Sequence, residues 1–529
     1  MPPTAPPRPE WVISALGRAG YGARPEDPGE VMGRGFPDWV SAQLAPNEAE
    51  DHAVHERLER LKLHIKYGAN PKWPAVDEMR YLAYLDKPID QAWTLILQRG
   101  DMDGAERRRP RDEVTAATIL RAVHSKWQLR EVLVNFWHDH FNVDAYSGDE
   151  VSVALPTYDR DVIRRHALGN FRQFLEAVAT STAMLYYLSN RSSRAGAANE
   201  NYGRELFELH TLGRDAYLND TYDRWRSVPG ALKGAPTGYI DEDVYEAARA
   251  FTGWTVEDGS GIDGQRKLPA TGKFAYVESW HDGYQKRVLA HEFKEFAPAM
   301  SDGRTVLDLV ADHPATAKFL CTKLCRRFVG DDPPASVVVA AMQTWTKARR
   351  ANDQIAQVVR VILLSPEFAA GQGAKVRRPL ALAASFARAT GLDLTPTEPL
   401  WNELANGGQR LFGYPAPTGL PDDGSYFLGA NSMRRRWSLV LALAENAWGT
   451  GDLSPPGALL GIPPTPRAAA QHFVEAMHGA AQPEIVEGVL GGLGWPEDQP
   501  LGDPTRPDTM KRLARIAALT AMAPGFQAV

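Results

Sequence analysis

Only two cysteines, Cys321 and Cys325, occur in the 529-residue chain, which excludes a disulfide-built scaffold. Their i,i+4 spacing inside Phe319-Leu320-Cys321-Thr322-Lys323-Leu324-Cys325 suits small core residues on one helix face, with a redox pair or metal clip as the sharper alternative. No run approaches the roughly 18 apolar residues of a membrane-spanning helix, so no membrane partner is expected. Positive charge is not in surplus either: 59 Lys+Arg face 65 Asp+Glu, a formal net charge of −6. A nucleic-acid surface normally shows as excess Lys and Arg, so no nucleic-acid partner is expected. The opening Met1-Pro2-Pro3-Thr4-Ala5-Pro6-Pro7-Arg8-Pro9 lacks the apolar stretch of a signal peptide. The chain therefore reads as cytoplasmic, or as exported if a leader has been removed. A Gly-rich phosphate loop, a nucleophile elbow and a His-Glu-x-x-His motif are also missing.

What is present is a globular composition. Hydrophobic residues make up 44% and charged residues 23%, enough for a sizeable core and too apolar for disorder. Apolar residues recur at helical steps over Glu113–Trp137, through Ile119, Leu120, Val123, Trp127, Val134 and Trp137. Further helices are expected over Val162–Leu175, Leu185–Leu188, Glu200–Leu212 (ended by Gly213) and Asp243–Phe251. Residues 214–240, rich in Asp, Asn, Pro and Gly, read as an excursion. Residues 257–290 alternate Gly with aromatic and β-branched residues, the pattern of a small β-hairpin.

An internal echo follows. His313-Pro314-Ala315-Thr316-Ala317 and Thr465-Pro466-Arg467-Ala468-Ala469 each open a helix with Pro at its start. Ser365-Pro366-Glu367-Phe368 and Ala523-Pro524-Gly525-Phe526 each close a run. The expected class is mainly α: a large multi-helix bundle, a small hairpin near 257–290 and two similar C-terminal helical units. The divisions are a Pro-rich tail 1–10, a helical core 11–312 carrying the candidate site, a unit 313–370, a connection 371–464 with an ordered Gly/Pro-rich loop at 411–419, and a second unit 465–529. Chance resemblance between Ala-rich helices is the plain alternative to the echo.

Three segments concentrate ionisable groups. In Asn135-Phe136-Trp137-His138-Asp139-His140-Phe141, the two imidazoles would point about 160° apart on a helix but to one side of an extended segment. A shared metal needs the extended form; histidines hydrogen-bonding backbone at a helix end is the alternative. In Glu200–His210, helical geometry gathers Glu200, Asn201, Arg204, Glu205 and Glu208 in one arc and leaves His210 outside it. That arc suits a metal, an anion-orienting Arg or acid–base work, or else a solvated face with i,i+4 pairs. In Ser279-Trp280-His281-Asp282-Gly283-Tyr284-Gln285-Lys286, a His-Asp-Gly turn beside aromatics is a loop contribution to a site or simply a turn.

Taken together and in this order, these segments resemble the widespread bacterial "domain of unknown function 1800" family. The resemblance runs from Ala15-Leu16-Gly17-Arg18-Ala19-Gly20-Tyr21-Gly22 through Phe136-Trp137-His138-Asp139-His140-Phe141 and His166-Ala167-Leu168-Gly169-Asn170-Phe171. Its densest part is Glu200-Asn201-Tyr202-Gly203-Arg204-Glu205-Leu206-Phe207-Glu208-Leu209-His210. Ala248-Arg249-Ala250-Phe251-Thr252-Gly253-Trp254, His281-Asp282 and Ser365-Pro366-Glu367-Phe368 complete it. Residues 214–240 are an insertion relative to the family pattern, and Gln285 stands where the pattern has an acid before Lys286. The resemblance implies a fold and a shared polar site but no established reaction. The expectation is a metal-dependent enzyme, a hydrolase before an oxidoreductase. His138, His140, Glu205, Glu208 and His281 would ligate Zn, Mn or Fe, with Glu205, Glu208, Arg204, Asn201 and Asp282 as catalytic groups. The alternative is a non-catalytic helical scaffold or partner-binding protein in which the Glu/Arg network fixes helix register.

Overall fold

The computed structural model describes residues 8–454, 456–459 and 464–529. Residues 1–7 of the expected Pro-rich tail lie outside the described residues, and Pro9 and Glu10 already belong to the first helix, Pro9–Ala19. Helices dominate, and among the described residues the strands form three separate two-stranded sheets. The class is mainly α with small hairpin elements.

Polar side chains decide where the apolar stripes are cut. The run read as one helix over Glu113–Trp137 is two, Gly104–His124 and Gln128–His140. Between them Ser125 is extended; its hydroxyl donates to Asp51 and accepts from the Trp127 amide at 3.0 Å. Such local bonds compete with the helical ladder and redirect the chain. The run Val162–Leu175 is likewise divided. Tyr158–Arg164 is a π-helical continuation of Asp149–Thr157, and Asn170 caps a new helix, Phe171–Ala179. Glu200–Leu212 begins as an α-helix over Glu200–Glu205 and widens to a π-helix over Leu206–His210.

The expected hairpin is present as Trp254–Asp258 paired with Ala270–Tyr276, followed by a smaller one, Lys286–Val288 with His291–Phe293. A third, Lys62–Tyr67 with Val76–Tyr81, interrupts the stretch 11–312 expected as helical core. Leu63 and Ile65 are buried between exposed Lys62, His64 and Lys66, a period of two over a stretch too short to distinguish from helix by sequence. The excursion 214–240 folds through short 3-10 turns around its own apolar knot of Val228, Ala231 and Ile240.

Two C-terminal stretches share one element order. Pro314–Phe328, Ala335–Lys347, Gln354–Leu363 and short Pro366–Ala370 form the first; Pro466–His478, Pro483–Leu493, Pro507–Ala521 and short Pro524–Gln527 form the second. In each, a Phe two residues after the last Pro is buried beneath a guanidinium: Arg18 lies 4.0 Å from the Phe368 ring and Arg377 lies 4.5 Å from that of Phe526. Helix Pro9–Ala19 packs on the leading helix of both stretches. Val529 exchanges backbone hydrogen bonds with Lys375 at 2.8 and 3.0 Å, which fixes the segment that carries Arg377 and Arg378. Cys321 and Cys325 are free thiols inside the main core, as small core residues should be. Among the described residues no helix is long and apolar enough to cross a membrane.

Phe526 fills this C-terminal anchor. Phe526→Ala is expected to cost about 3–5 kcal/mol, the usual range for a buried aromatic truncation. A urea-unfolding midpoint equal to that of the parent chain would show that the anchor contributes no stability.

Candidate functional site

Helix Gln128–His140 ends in the interior. Trp137 is fully buried and donates its indole N–H to the Ala167 carbonyl at 3.0 Å, so the last turn cannot rotate. Because the helix continues through His140, His138 and His140 leave it on opposite sides and share no metal, the outcome helical geometry requires. Asp139 leaves in a third direction.

Each of the three meets a different part of the chain. His138 Nε2 lies 2.9 Å from Asp159 Oδ1, whose other oxygen accepts from Arg164 Nε at 2.9 Å. Arg164 in turn forms a two-pronged pair with Glu131 at 2.8 and 2.9 Å. Burial alone would raise the Asp159 carboxyl, but Arg164 and His138 outweigh it and hold it well below the usual carboxylate range. Asp139 pairs with Arg378, which also reaches Asp422 Oδ1 at 3.3 Å. Burial would likewise raise Asp422, but Arg378, Lys375 and Arg327 hold it low.

His140 has the more reactive setting. Its Nε2 faces the His210 carbonyl at 3.1 Å, and a carbonyl only accepts, so Nε2 carries the proton. Nδ1 is then an acceptor, and Lys323 Nζ donates to it at 3.0 Å. Burial, reinforced by Lys323 and His210, pushes His140 well below the normal histidine value. Burial also lowers the Lys323 amine to about 8 and His210 to about 3. Both ring nitrogens of His210 are buried without a hydrogen-bond partner among the described residues.

Both histidine partners come from π-helical turns: Asp159 from Tyr158–Arg164 and His210 from Leu206–His210. A π turn carries an extra residue and rotates the side chains after it. His210, placed outside the Glu/Arg arc by helical geometry, lies on the buried side of this segment, where its carbonyl meets His140.

A lid completes the site. Asn142 Nδ2 donates to the Tyr414 and Ala416 carbonyls at 2.9 Å each, and the Ala145 amide donates to Phe412 at 2.8 Å. The 411–419 loop is thus ordered, and it lies over the histidine segment. Gly419, at φ +70°, sits so close that an added Cβ would fall 1.8 Å from the Asp139 carbonyl oxygen. Beneath the loop is a cavity of about 150 Å³ bounded chiefly by Asp139, His140, Lys323, Arg327, Arg378 and Asp422. Arg327 is only 8% exposed and makes no hydrogen bond among the described residues. A wider cleft of about 940 Å³ opens on the far side of the Asp159–Arg164–Glu131 chain, but its main ions are already matched, Arg164 to Glu131 and Arg130 to Glu48.

The remaining expected site residues lie elsewhere. Arg204 pairs with Glu200 and, at 3.1 Å, with Asp241 on a solvated helix face. Asn201 only reaches the Leu188 carbonyl at 3.4 Å, and Glu208 is half-exposed. Burial and the neighbouring Glu208 raise the Glu205 carboxyl. His281 sits between the Thr252 carbonyl at 2.9 Å and Asp302 at 3.2 Å, while Asp302 takes Lys286 Nζ at 2.7 Å. Asp282 clasps Arg249 at 2.8 and 3.1 Å, tying its turn to helix Asp241–Ala250. Of the five expected metal ligands only His140 borders the cavity, and among the described residues no three His, Cys, Asp or Glu side chains converge to hold a metal. Lys323, Arg327, Arg378 and Asp422 were not foreseen. The available signal was Lys323 and Arg327, cations four apart on one face of a helix otherwise rich in core residues.

The chain matches the model of the family described as "Protein of unknown function (DUF1800)" over residues 14–528, and it belongs to that family. No curated protein and no solved structure matches it.

The buried imidazoles make the fold acid-sensitive. His140 and His210 stay neutral in the fold, whereas an unfolded histidine takes a proton near pH 6.5. Their folded values are depressed, so stability is full above about pH 6.5 and falls as pH drops toward about 3. Melting temperature should decline across pH 6.5 to 4, and His210→Gln should flatten that decline; an unaltered slope in the variant would remove His210 from the account. Gly419→Ala should open the loop, read as faster amide exchange over residues 411–422.

Proposed function

We propose that this chain is an enzyme, a hydrolase in preference to an oxidoreductase, whose reaction centre is the cavity bordered by His140 and Lys323. The observation that carries this reading is the 3.0 Å contact between Lys323 Nζ and His140 Nδ1 at the cavity wall, with the imidazole tautomer set by the His210 carbonyl. An amine lowered to about 8 can part with a proton near neutral pH, and the unprotonated imidazole beside it holds it in place by accepting its hydrogen bond. Lys323 supplies the proton to a leaving group, and the amine so formed receives one from the attacking water. Hydrolysis is favoured because the groups at the cavity wall, an amine able to give up a proton and flanking guanidiniums, suffice for acid-assisted attack by water. The divalent metal (Zn, Mn or Fe) considered from the sequence would need ligands other than His138, Glu205, Glu208 and His281, which lie away from this cavity, and other than the two engaged ring nitrogens of His140.

The test is a panel of small chromogenic esters and phosphate monoesters with the parent chain, Lys323→Met and His140→Asn. Loss of one proton-transfer group should lower kcat by about 10²–10⁴-fold while circular dichroism is retained. Turnover unchanged in both variants, or absent across the panel for the parent, would sink the reading.

A second reading is a non-catalytic helical scaffold. It is supported by the Glu131–Arg164–Asp159–His138 chain, a buried Glu/Arg network that fixes the position of helix Gln128–His140. Under it, Glu131→Gln costs about 3–5 kcal/mol, as expected when a buried charge loses its partner, and Lys323→Met changes no measurable binding or turnover.

A further inference from the structure

We infer that the cavity under the 411–422 loop receives a dianionic oxyanion, the phosphoryl group of a small ligand, with Arg327 and Lys323 as its anchors. The inference rests on the reading of this cavity as the functional site and names the class of molecule that enters it.

The argument is one of charge balance. Lys323, Arg326, Arg327 and Arg378 border the cavity, against two carboxylates, Asp139 and Asp422. His140 adds no charge, since burial beside Lys323 keeps it neutral. Four cations facing two anions leave an excess of two positive charges. Elsewhere a buried guanidinium is matched by carboxylates, as Arg164 is by Asp159 and Glu131, or rests on an aromatic ring, as Arg18 does on Phe368 and Arg377 on Phe526. An uncompensated buried cation is costly, and a protein normally supplies a counter-charge or lowers the group's charge.

The geometry singles out which cations are open. Arg378 is engaged with Asp139 and with the Pro421 carbonyl at 3.2 Å, and Arg326 donates to the Asp331 carbonyl at 3.0 Å. Lys323 has an imidazole as its partner and no carboxylate. Arg327 makes no hydrogen bond among the described residues although 92% of its surface is buried by the fold. Its planar fork matches two oxygens of one phosphoryl group, and the Lys323 ammonium is a compact third contact. Lys323 and Arg327 are four residues apart on helix Pro314–Phe328, so a rigid element sets their separation. A volume of about 150 Å³ admits the head of a small ligand, not a folded polymer. Gly419 lets the covering loop touch the Asp139 backbone, which brings the loop directly against the cavity wall.

The test is calorimetric titration of the full chain with inorganic phosphate, sulfate and acetate. Phosphate and sulfate should bind one per chain and acetate at least tenfold more weakly. Arg327→Gln should weaken phosphate at least tenfold, and Arg327→Lys, which keeps the charge but not the fork, by less. Arg224→Gln, on an exposed side chain, should leave binding unchanged. Phosphate should also slow acetylation of Lys323 by acetic anhydride, read by peptide mass spectrometry, without slowing that of exposed Lys66. Equal affinity for acetate, binding that ignores both Arg327 variants, or Lys323 acetylated at the same rate with and without phosphate would each overturn the inference. If Arg327→Gln fails to fold, Arg327→Lys and the acetylation readout decide alone. Turnover that survives without phosphate binding would leave the hydrolase reading standing and this inference refuted. Phosphate binding with turnover indifferent to Lys323→Met would do the reverse.

Discussion

Three neighbouring side chains at the end of one helix, His138, Asp139 and His140, are each compensated by a different part of the molecule. A helix turns about 100° per residue, so consecutive side chains cannot share a partner and must each be met from a separate direction. The fold meets that demand with a π turn for His138, the 375–378 segment for Asp139, and a second π turn plus helix Pro314–Phe328 for His140. The positions of these elements follow from the need to satisfy polar groups that Trp137 and Phe141 drag into an apolar interior.

Not all of this charge is spent in the same way. The His138 side is closed: Asp159, Arg164 and Glu131 saturate one another, and such a chain costs several kcal/mol only when a member is removed. The His140 side is open: an amine rests on an imidazole, and the Arg327 guanidinium borders the cavity without a salt bridge among the described residues. That contrast, rather than cavity size, is why the proposed site is the smaller cavity and not the wider cleft.

The C-terminal part of the chain serves this centre from a distance. Backbone pairing between Val529 and Lys375 holds the segment that aims Arg378 at Asp139, and the 411–419 loop reaches back to Asn142 and Ala145. Helix Pro9–Ala19 touches the leading helices of both C-terminal stretches. The chain's belonging to one family over residues 14–528 is consistent with a site that draws on both halves.

By itself the sequence determined the class, the hairpin from Trp254, the Gly/Pro-rich loop and the core placement of the two cysteines. Periodicity, turn chemistry and local composition are short-range properties, and they carry that much. It also stated the two geometries open to His138 and His140, and helix Gln128–His140 chose the one that forbids a shared ligand. Only the tertiary structure decided that Arg204 pairs with Glu200 on a part-solvated face, that His281 and Asp282 bond within and beside their own turn, and that Lys323 and Arg327 border a cavity with His140. The physical reason is that charge compensation acts through space. His140 and Lys323 are 183 residues apart, and Asp139 and Arg378 are 239 apart, so no local pattern encodes either meeting.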